Sequence, residues 1–259
     1  MNILITGAEG CVGSRLKEVF EENGYVVTAF EGDVRLWSDW AKYSEPSGSS
    51  NRTILRPEWD GLIHLAAIAG VRRSFDEPEF YYDNNVNGTR NALNFADQFC
   101  NKHMYASSSN AYEWWGNPYA ATKKMCEVMA VDYPQSKGMR FHTVWPGRED
   151  MLYRKLQKGE VTYINNNHWR DWIHREDLCN AILTIYQNWD KVDKKVLDIG
   201  TGKTFRVAEM AKTIFGFDGE FRDENPKGER VKTQADVEYL YNLGWKPTKD
   251  ILDESMHTK

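Results

Sequence analysis

The apolar positions of this chain fall into short runs separated by amphipathic stretches. "NILITG" (2–7) is an apolar run ending in glycine, the pattern of a strand buried on both faces. Residues 12–22 follow with Val12, Leu16, Val19 and Phe20 apolar, which predicts a helix. "GYVVTAFE" (24–31) predicts a second strand and "LIHLAA" (62–67) another, before a long helical stretch over 78–99. "HMYASSS" (103–109) predicts a strand that runs into a serine loop. A helix opens at Pro118, and "MRFHTVW" (139–145) and "KVLDIG" (195–200) read as further strands. Strands alternating with helices in this way predict an α/β fold with a doubly wound parallel sheet. Two segments break the rhythm, being polar, less regular and rich in Trp, Asn and Lys. The expected division is therefore a sheet domain of residues 1–145 and 173–201, and a small lobe of residues 146–172 and 202–259. The lobe is expected beyond the carboxyl edge of the sheet, where open α/β sheets bind ligands.

Composition narrows the class. With 259 residues, 41% hydrophobic and 27% charged, the chain reads as a globular protein. A net charge of −5 and the lack of a long basic run argue against a nucleic-acid partner. Cys11, Cys100, Cys126 and Cys179 lie far apart, with no Cys-x-x-Cys and no zinc-ligand spacing, so no metal is expected and the thiols read as reduced. The chain opens directly on "MNILITG", and no apolar stretch approaches the roughly 20 residues that span a bilayer. A cytoplasmic protein without a membrane partner is the expectation.

"TGAEGCVG" places Gly7, Gly10 and Gly13 between the first strand and the first helix. The first glycine permits a tight turn, the second lets the backbone approach a pyrophosphate, and the third lets the helix pack closely on the sheet. A dinucleotide would sit on this turn, with Cys11 and Val12 beside it, at the amino terminus of the helix. Glu31 ends the second strand, with Asp33 just beyond, about where a carboxylate holds the adenosine ribose and repels a 2′-phosphate. This favours NAD, although a strand-end acid can also be merely solvated. Asp33 and Val34 could instead flank the adenine, and Arg35 keeps NADP open. "GTGKT" (200–204) is not a Walker loop, because the glycine such a loop needs is here Leu197.

Tyr119 and Lys123 lie one turn apart on the helix that starts at Pro118. Any helix offers such pairs, but a dinucleotide site upstream changes their meaning. A tyrosine can serve as general base when a nearby ammonium and a cationic nicotinamide favour its ionised form. Lys123 would supply that ammonium and hold the nicotinamide ribose, while a serine of the Ser107, Ser108, Ser109 run would fix the substrate oxygen. Ser107 and Ser109 also read as plain loop hydrogen-bonders, and His64 as a group that orients backbone under the cofactor.

"HLAAIAGVRRS" (64–74), "YYDNNVNGT" (81–89), "YASSS" (105–109), "YAATKK" (119–124), "RDWIHREDL" (170–178), "LDIGTG" (197–202) and "LGWKP" (243–247) stand in one order along the chain. Together they resemble the extended short-chain dehydrogenase/reductase family, within it the nucleotide-sugar epimerases, and most closely the UDP-glucuronate 4-epimerase branch. The resemblance implies a Rossmann-type domain, with Gly7, Gly10 and Gly13 on the pyrophosphate and Leu65, Ala66 and Ala67 lining the cofactor. It implies Ser108, Tyr119 and Lys123 as the catalytic set, Asn85 as a structural asparagine and Arg170 on the substrate diphosphate. Thr143 and Arg148 match positions that face a sugar carboxylate. Two helices, around 80–99 and 119–133, pair across a two-fold axis in that family, which implies a homodimer. The implied activity is epimerisation by transient C4 oxidation and re-reduction, on a hexuronate in the nearest branch. A ketoreductase, a dehydratase or a non-catalytic cofactor binder stay open. The chain departs from the family in having only ten residues between Ser108 and Tyr119, a clipped passage from the second strand to Asp33, and a shortened segment after Val144.

Overall fold

The computed structural model describes residues 1–44, 59–253 and 257; the last expected lobe residues, 254–256 and 258–259, lie outside them. In chain order the elements are β1 (Asn2–Thr6), α1 (Gly13–Glu22), β2 (Val26–Ala29), α2 (Trp37–Ala41), β3 (Gly61–His64), α3 (Val71–Asp76), α4 (Pro78–Tyr81), a π-helical turn (Tyr82–Asn87), α5 (Gly88–Phe99), β4 (His103–Ser108), a 3₁₀ segment (Ser109–Gly116), α6 (Pro118–Met129) and β5 (Ser136–Phe141). There follow β6 (Thr143–Trp145), α7 (Leu152–Gln157), β7 (Tyr163–Asn165), β8 (Trp169–His174), α8 (Arg175–Gln187), β9 (Val196–Ile199), β10 (Thr204–Arg206), α9 (Val207–Phe215), β11 (Glu220–Arg222) and α10 (Glu238–Asn242).

The chain divides into two compact units, Met1–Met139 with Lys194–Val196, and Arg140–Asp193 with Leu197–Lys259. This division runs through β5 and β9, so residues 140–145, 173–193 and 197–201 fall with the second unit rather than with the expected sheet domain. The reason is local. "MRFHTVW" is not one strand: it breaks at His142, and Thr143–Trp145 pairs in parallel with Trp172–His174.

The first unit is built on a sheet of order β2-β1-β3-β4-β5-β9. β1 runs parallel to β2 on one side and to β3 on the other, and β3 parallel to β4. The chain thus reverses its direction of growth at β1, which makes a switch point of the kind where α/β sheets bind ligands. Ile3, Leu4 and Ile5 are all fully buried, which is why β1 reads as an unbroken apolar run. One cluster joins Leu4, Phe30, Trp40, Leu62, Ala92 and Phe95; a second joins Leu93, Tyr105, Cys126 and Ala130 and ties α5 and α6 to β4.

The second unit contains a three-stranded sheet of order β10-β8-β6 and the parallel pair β11-β7. Trp145, Tyr153, Trp172, Val207 and Met210 form its core. Two buried carboxylates organise its loops. Asp171 accepts from the Thr201 amide (2.7 Å) and hydroxyl (2.8 Å), the Gly202 amide (2.8 Å) and the Ala235 amide (3.0 Å). Asp177 accepts from the Thr248 amide and hydroxyl and the Lys249 amide.

Burial carries a pH consequence in the first unit. His103 opens β4 fully buried, 2.9 Å from Ser136 Oγ, and desolvation lowers its pKa from 6.5 to about 3. The unfolded chain therefore takes up the proton first as pH falls, so this stability is complete above about pH 6.5 and is lost on the way down to about 3. The expected loss from His103 between pH 7 and pH 5 is about 2 kcal/mol. Buried His64, also pushed down by desolvation, acts in the same direction. Denaturant unfolding at both pH values checks this: His103→Gln should show a shallower loss than wild type, and equal losses would remove His103 as a cause.

Candidate functional site

The first unit gathers most of the expected site residues at the carboxyl ends of β1, β2, β3 and β4. Gly7 has φ +69°, and a Cβ there would lie 2.8 Å from the Ala66 nitrogen. A Cβ on Gly13 would collide with the Gly7 carbonyl oxygen. The Gly10 amide donates to that same oxygen at 3.0 Å. α1 begins at Gly13 with no side-chain cap and no acid in its first turn, a setting in which a helix amino terminus can take an anion. Cys11 and Val12 are part-exposed in the turn, and Leu65, Ala66 and Ala67 lie half-buried beyond β3. Thr6 Oγ1 takes the Ala66 amide at 3.1 Å and lies 2.8 Å from His64 Nδ1, so the β1 and β3 ends are tied together. The partner of His64 here is the Thr6 hydroxyl, which in turn takes the Ala66 amide. A cradle that side chains would fill, at a helix terminus free of acid, fits a pyrophosphate.

At the β2 end Glu31 is exposed, and its amide donates to Tyr43 Oη at 2.7 Å. Asp33 receives the Arg35 fork, Nε at 2.9 Å and Nη2 at 2.6 Å, and this pairing holds its carboxyl below the usual range. Arg35 Nη1 reaches Asp83 at 2.9 Å. The one arginine that keeps NADP open is therefore held by two carboxylates. Val34 is buried against Trp40 in the core, and its carbonyl accepts from Trp40 Nε1 and Asn91 Nδ2.

α6 carries Tyr119 and Lys123. Asn117 caps it, Oδ1 accepting the Ala120 amide at 2.7 Å, and Pro118 stands at its first position. Tyr119 is 9% exposed, its ring edge-on to Tyr81 at 6.2 Å. Lys123 is 4% exposed and donates to the Ala106 carbonyl at 2.8 Å. Burial pushes its pKa down, with Cys126 opposing more weakly. Ser108 is buried at the β4 end, its Oγ accepting the Asn110 amide at 3.2 Å. Ser107 and Ser109 are also buried; Ser107 Oγ donates to Glu127 at 2.7 Å. Asn85, in the π-helical turn, accepts the Ile68 amide (2.8 Å) and donates to the Ile68 carbonyl (2.9 Å) and Thr122 Oγ1 (3.1 Å). It thereby joins the loop after β3 to α6. π-Helical turns recur at functional sites.

Thr143, Arg148 and Arg170 belong to the second unit. Thr143 opens β6 opposite Trp172. Arg148 forks onto Asp150, Nε–Oδ1 and Nη2–Oδ2 both 3.0 Å, and lowers the pKa of that carboxyl. Arg170 donates to the Trp169 (2.9 Å) and Val231 (3.2 Å) carbonyls, and burial lowers its pKa. The sequence reading missed Glu127 and Asp171. "RDW" hinted at the second, since an acid between strand-forming aromatics demands partners, but those partners lie 30 to 64 residues away.

Residues 3–200 match the NAD dependent epimerase/dehydratase family. The chain belongs to this family. NAD is accordingly its cofactor, and the glycine turn has the shape to hold it. Protein CapI of Staphylococcus aureus is 28% identical, covering 98% of this chain and 96% of its own. That alignment runs over 320 positions, more than the 259 residues available here, so the relative carries segments that this family member lacks. A probable UDP-glucuronate 4-epimerase of Rhizobium meliloti is 30% identical over 71% of this chain and 68% of its own. Among solved structures, MoeE5 in complex with UDP-glucuronic acid and NAD has a similar fold, with TM-score 0.79, 22% identity, and coverage of 100% of this chain and 97% of that one. No described helix is long and apolar enough to cross a membrane, and among the described residues no group of three or more His, Cys, Asp or Glu could hold a metal ion.

Proposed function

We propose that this protein is a UDP-sugar 4-epimerase that uses NAD, with Tyr119 as the proton-handling group. The observation that carries the reading is the buried Tyr119 and Lys123 pair on a helix that grips β4, the strand ending at Ser108, in the same unit as the glycine turn. NAD, which the Gly7–Gly13 turn would hold, would supply the hydride chemistry at C4 of the sugar. Tyr119 takes the proton from the 4-hydroxyl and gives it back. Lys123, fixed by the Ala106 carbonyl, places a cationic group beside the reacting centre. Ser108 holds the oxygen that becomes the ketone. Cofactor use nets to zero, so the test needs no added reductant: the protein is incubated with UDP-, GDP- and dTDP-sugars and the products are separated. Epimer formation is expected. Consumption of NAD(P)H would instead mark a ketoreductase. Tyr119→Phe should keep bound NAD and lose turnover by about 10²–10⁴-fold; unchanged turnover would remove Tyr119 from the mechanism.

The sugar is proposed to carry a carboxylate, with Arg148 as its clamp and Arg170 on the diphosphate. Support comes from the guanidinium of Arg148, already in a two-point carboxylate fork with Asp150, the geometry a uronate would reproduce by displacing that acid. The Rhizobium relative is named for a substrate of the same class. The fork is exposed, which limits its strength. Arg148→Ala should raise KM for UDP-glucuronate roughly tenfold while hardly changing that for UDP-glucose. Equal weakening of both substrates would move Arg148 to the phosphate groups.

The assembly is proposed to be a homodimer formed through α6. Met125 and Val128 on this helix and Val131 just beyond it lie three residues apart and are exposed, Val128 at 61%. Such a stripe suits a self-complementary face. Light scattering at micromolar concentration should give twice the mass of the 30.1 kDa chain, and Val128→Asp should give a monomer. A monomeric wild type would end this assignment.

A further inference from the structure

α6 carries a third buried polar residue in line with the first two. Tyr119, Lys123 and Glu127 are spaced by four, so they share one face of the helix. Glu127 is 5% exposed. Its Oε1 accepts the Ser107 hydroxyl at 2.7 Å, and its Oε2 lies 3.2 Å from Lys124 Nζ. One turn earlier, Lys123 donates to the Ala106 carbonyl at 2.8 Å. Two successive polar side chains of α6 thus hold two successive residues of β4, and the next residue is Ser108. A carboxylate at this depth is costly, and an apolar side chain would serve mere packing at lower cost.

We propose that Glu127 is a positioning residue for the reaction. Through Ser107 it fixes the carboxyl end of β4 against α6, and so sets Ser108 relative to Tyr119. The inference rests on the epimerase reading for its kinetic consequence, but not for its structural one. Ser107 then acts as the anchor of the strand end, and the substrate oxygen is left to Ser108.

The test uses the full chain loaded with NAD, as Glu127→Ala, Glu127→Gln, Ser107→Ala and the double Ala variant. Glu127→Ala should lower kcat about 10–100-fold, as small misplacements of reacting groups do, with KM for the UDP-sugar and NAD affinity little changed. Glu127→Gln should recover most of kcat, because its amide oxygen still accepts from Ser107. The double variant should be no worse than the poorer single one, since both remove the same link. Hydrogen exchange at the amides of residues 107–109 should quicken in Glu127→Ala and stay slow in Glu127→Gln. Should Glu127→Ala fail to fold, Ser107→Ala carries both readouts. Unchanged kcat and exchange, or a kcat loss that merely follows lost NAD affinity and thermal stability, would overturn the proposal. If wild type turns over no UDP-sugar, the epimerase reading fails, and the exchange comparison alone decides whether Glu127 pins the strand.

Discussion

Three stretches of backbone meet at Gly7, and the first unit depends on their closeness. The end of β1 must pass close enough to the Ala66 nitrogen, and to the start of α1, that no Cβ fits at either Gly7 or Gly13. The left-handed φ of Gly7 turns the chain at once from strand to helix. Thr6, the residue before it, takes the Ala66 amide with its side chain while its carbonyl takes the Leu65 amide, so β1 and β3 cannot drift apart. The opening between them, where the chain switches from growth toward β2 to growth toward β3, is therefore fixed in width. The uncapped α1 terminus then delivers its amides and dipole to one place.

α6, the helix of Tyr119 and Lys123, is held by a different kind of force. Its buried face is largely polar, with Thr122, Lys123 and Glu127 all buried, and each finds a partner: Asn85, the Ala106 carbonyl and Ser107. Buried polar groups that are paired tolerate little displacement, because slipping the helix by a fraction of a turn would break several bonds together. Apolar packing alone, which is non-directional, would fix α6 less sharply. Asn85 extends the grip to the loop after β3, so that loop and α6 share one frame.

The strands of the first unit were legible because burial on both faces writes itself into local composition, as in β1 and β3. The glycine turn and the placing of Tyr119 and Lys123 one turn apart on a helix were legible because both are set by short fixed spacings. What was hidden depends on distant partners. "MRFHTVW" looks continuous, yet the His142 amide donates to Ile199, and the residues after it pair with β8; no periodicity marks that break. The second unit looked irregular because its strands β7, β10 and β11 are three residues each, and its order comes from Asp171 and Asp177 reaching far along the chain. Glu127 was legible as a helix former and nothing more, since its partner sits 20 residues earlier on another element.

The short link between Ser108 and Tyr119 shows how a compact member of this family can hold those two residues in place. The link is itself ordered as a 3₁₀ segment kinked at Glu113, with Ser108 capping one end and Asn117 capping the helix that follows. Both caps are side chains bonded to backbone two or three residues ahead, so the geometry is set locally and needs no long excursion to stabilise it. The shortening falls instead on what the link can cover. Trp115 is 70% exposed and meets Trp114 edge-on at 6.0 Å, with too few neighbouring residues in the link to bury either. Shortening a connection between capped elements costs little closure entropy. Its effect therefore lands on the surface that Trp114 and Trp115 form rather than on the placement of Ser108 and Tyr119.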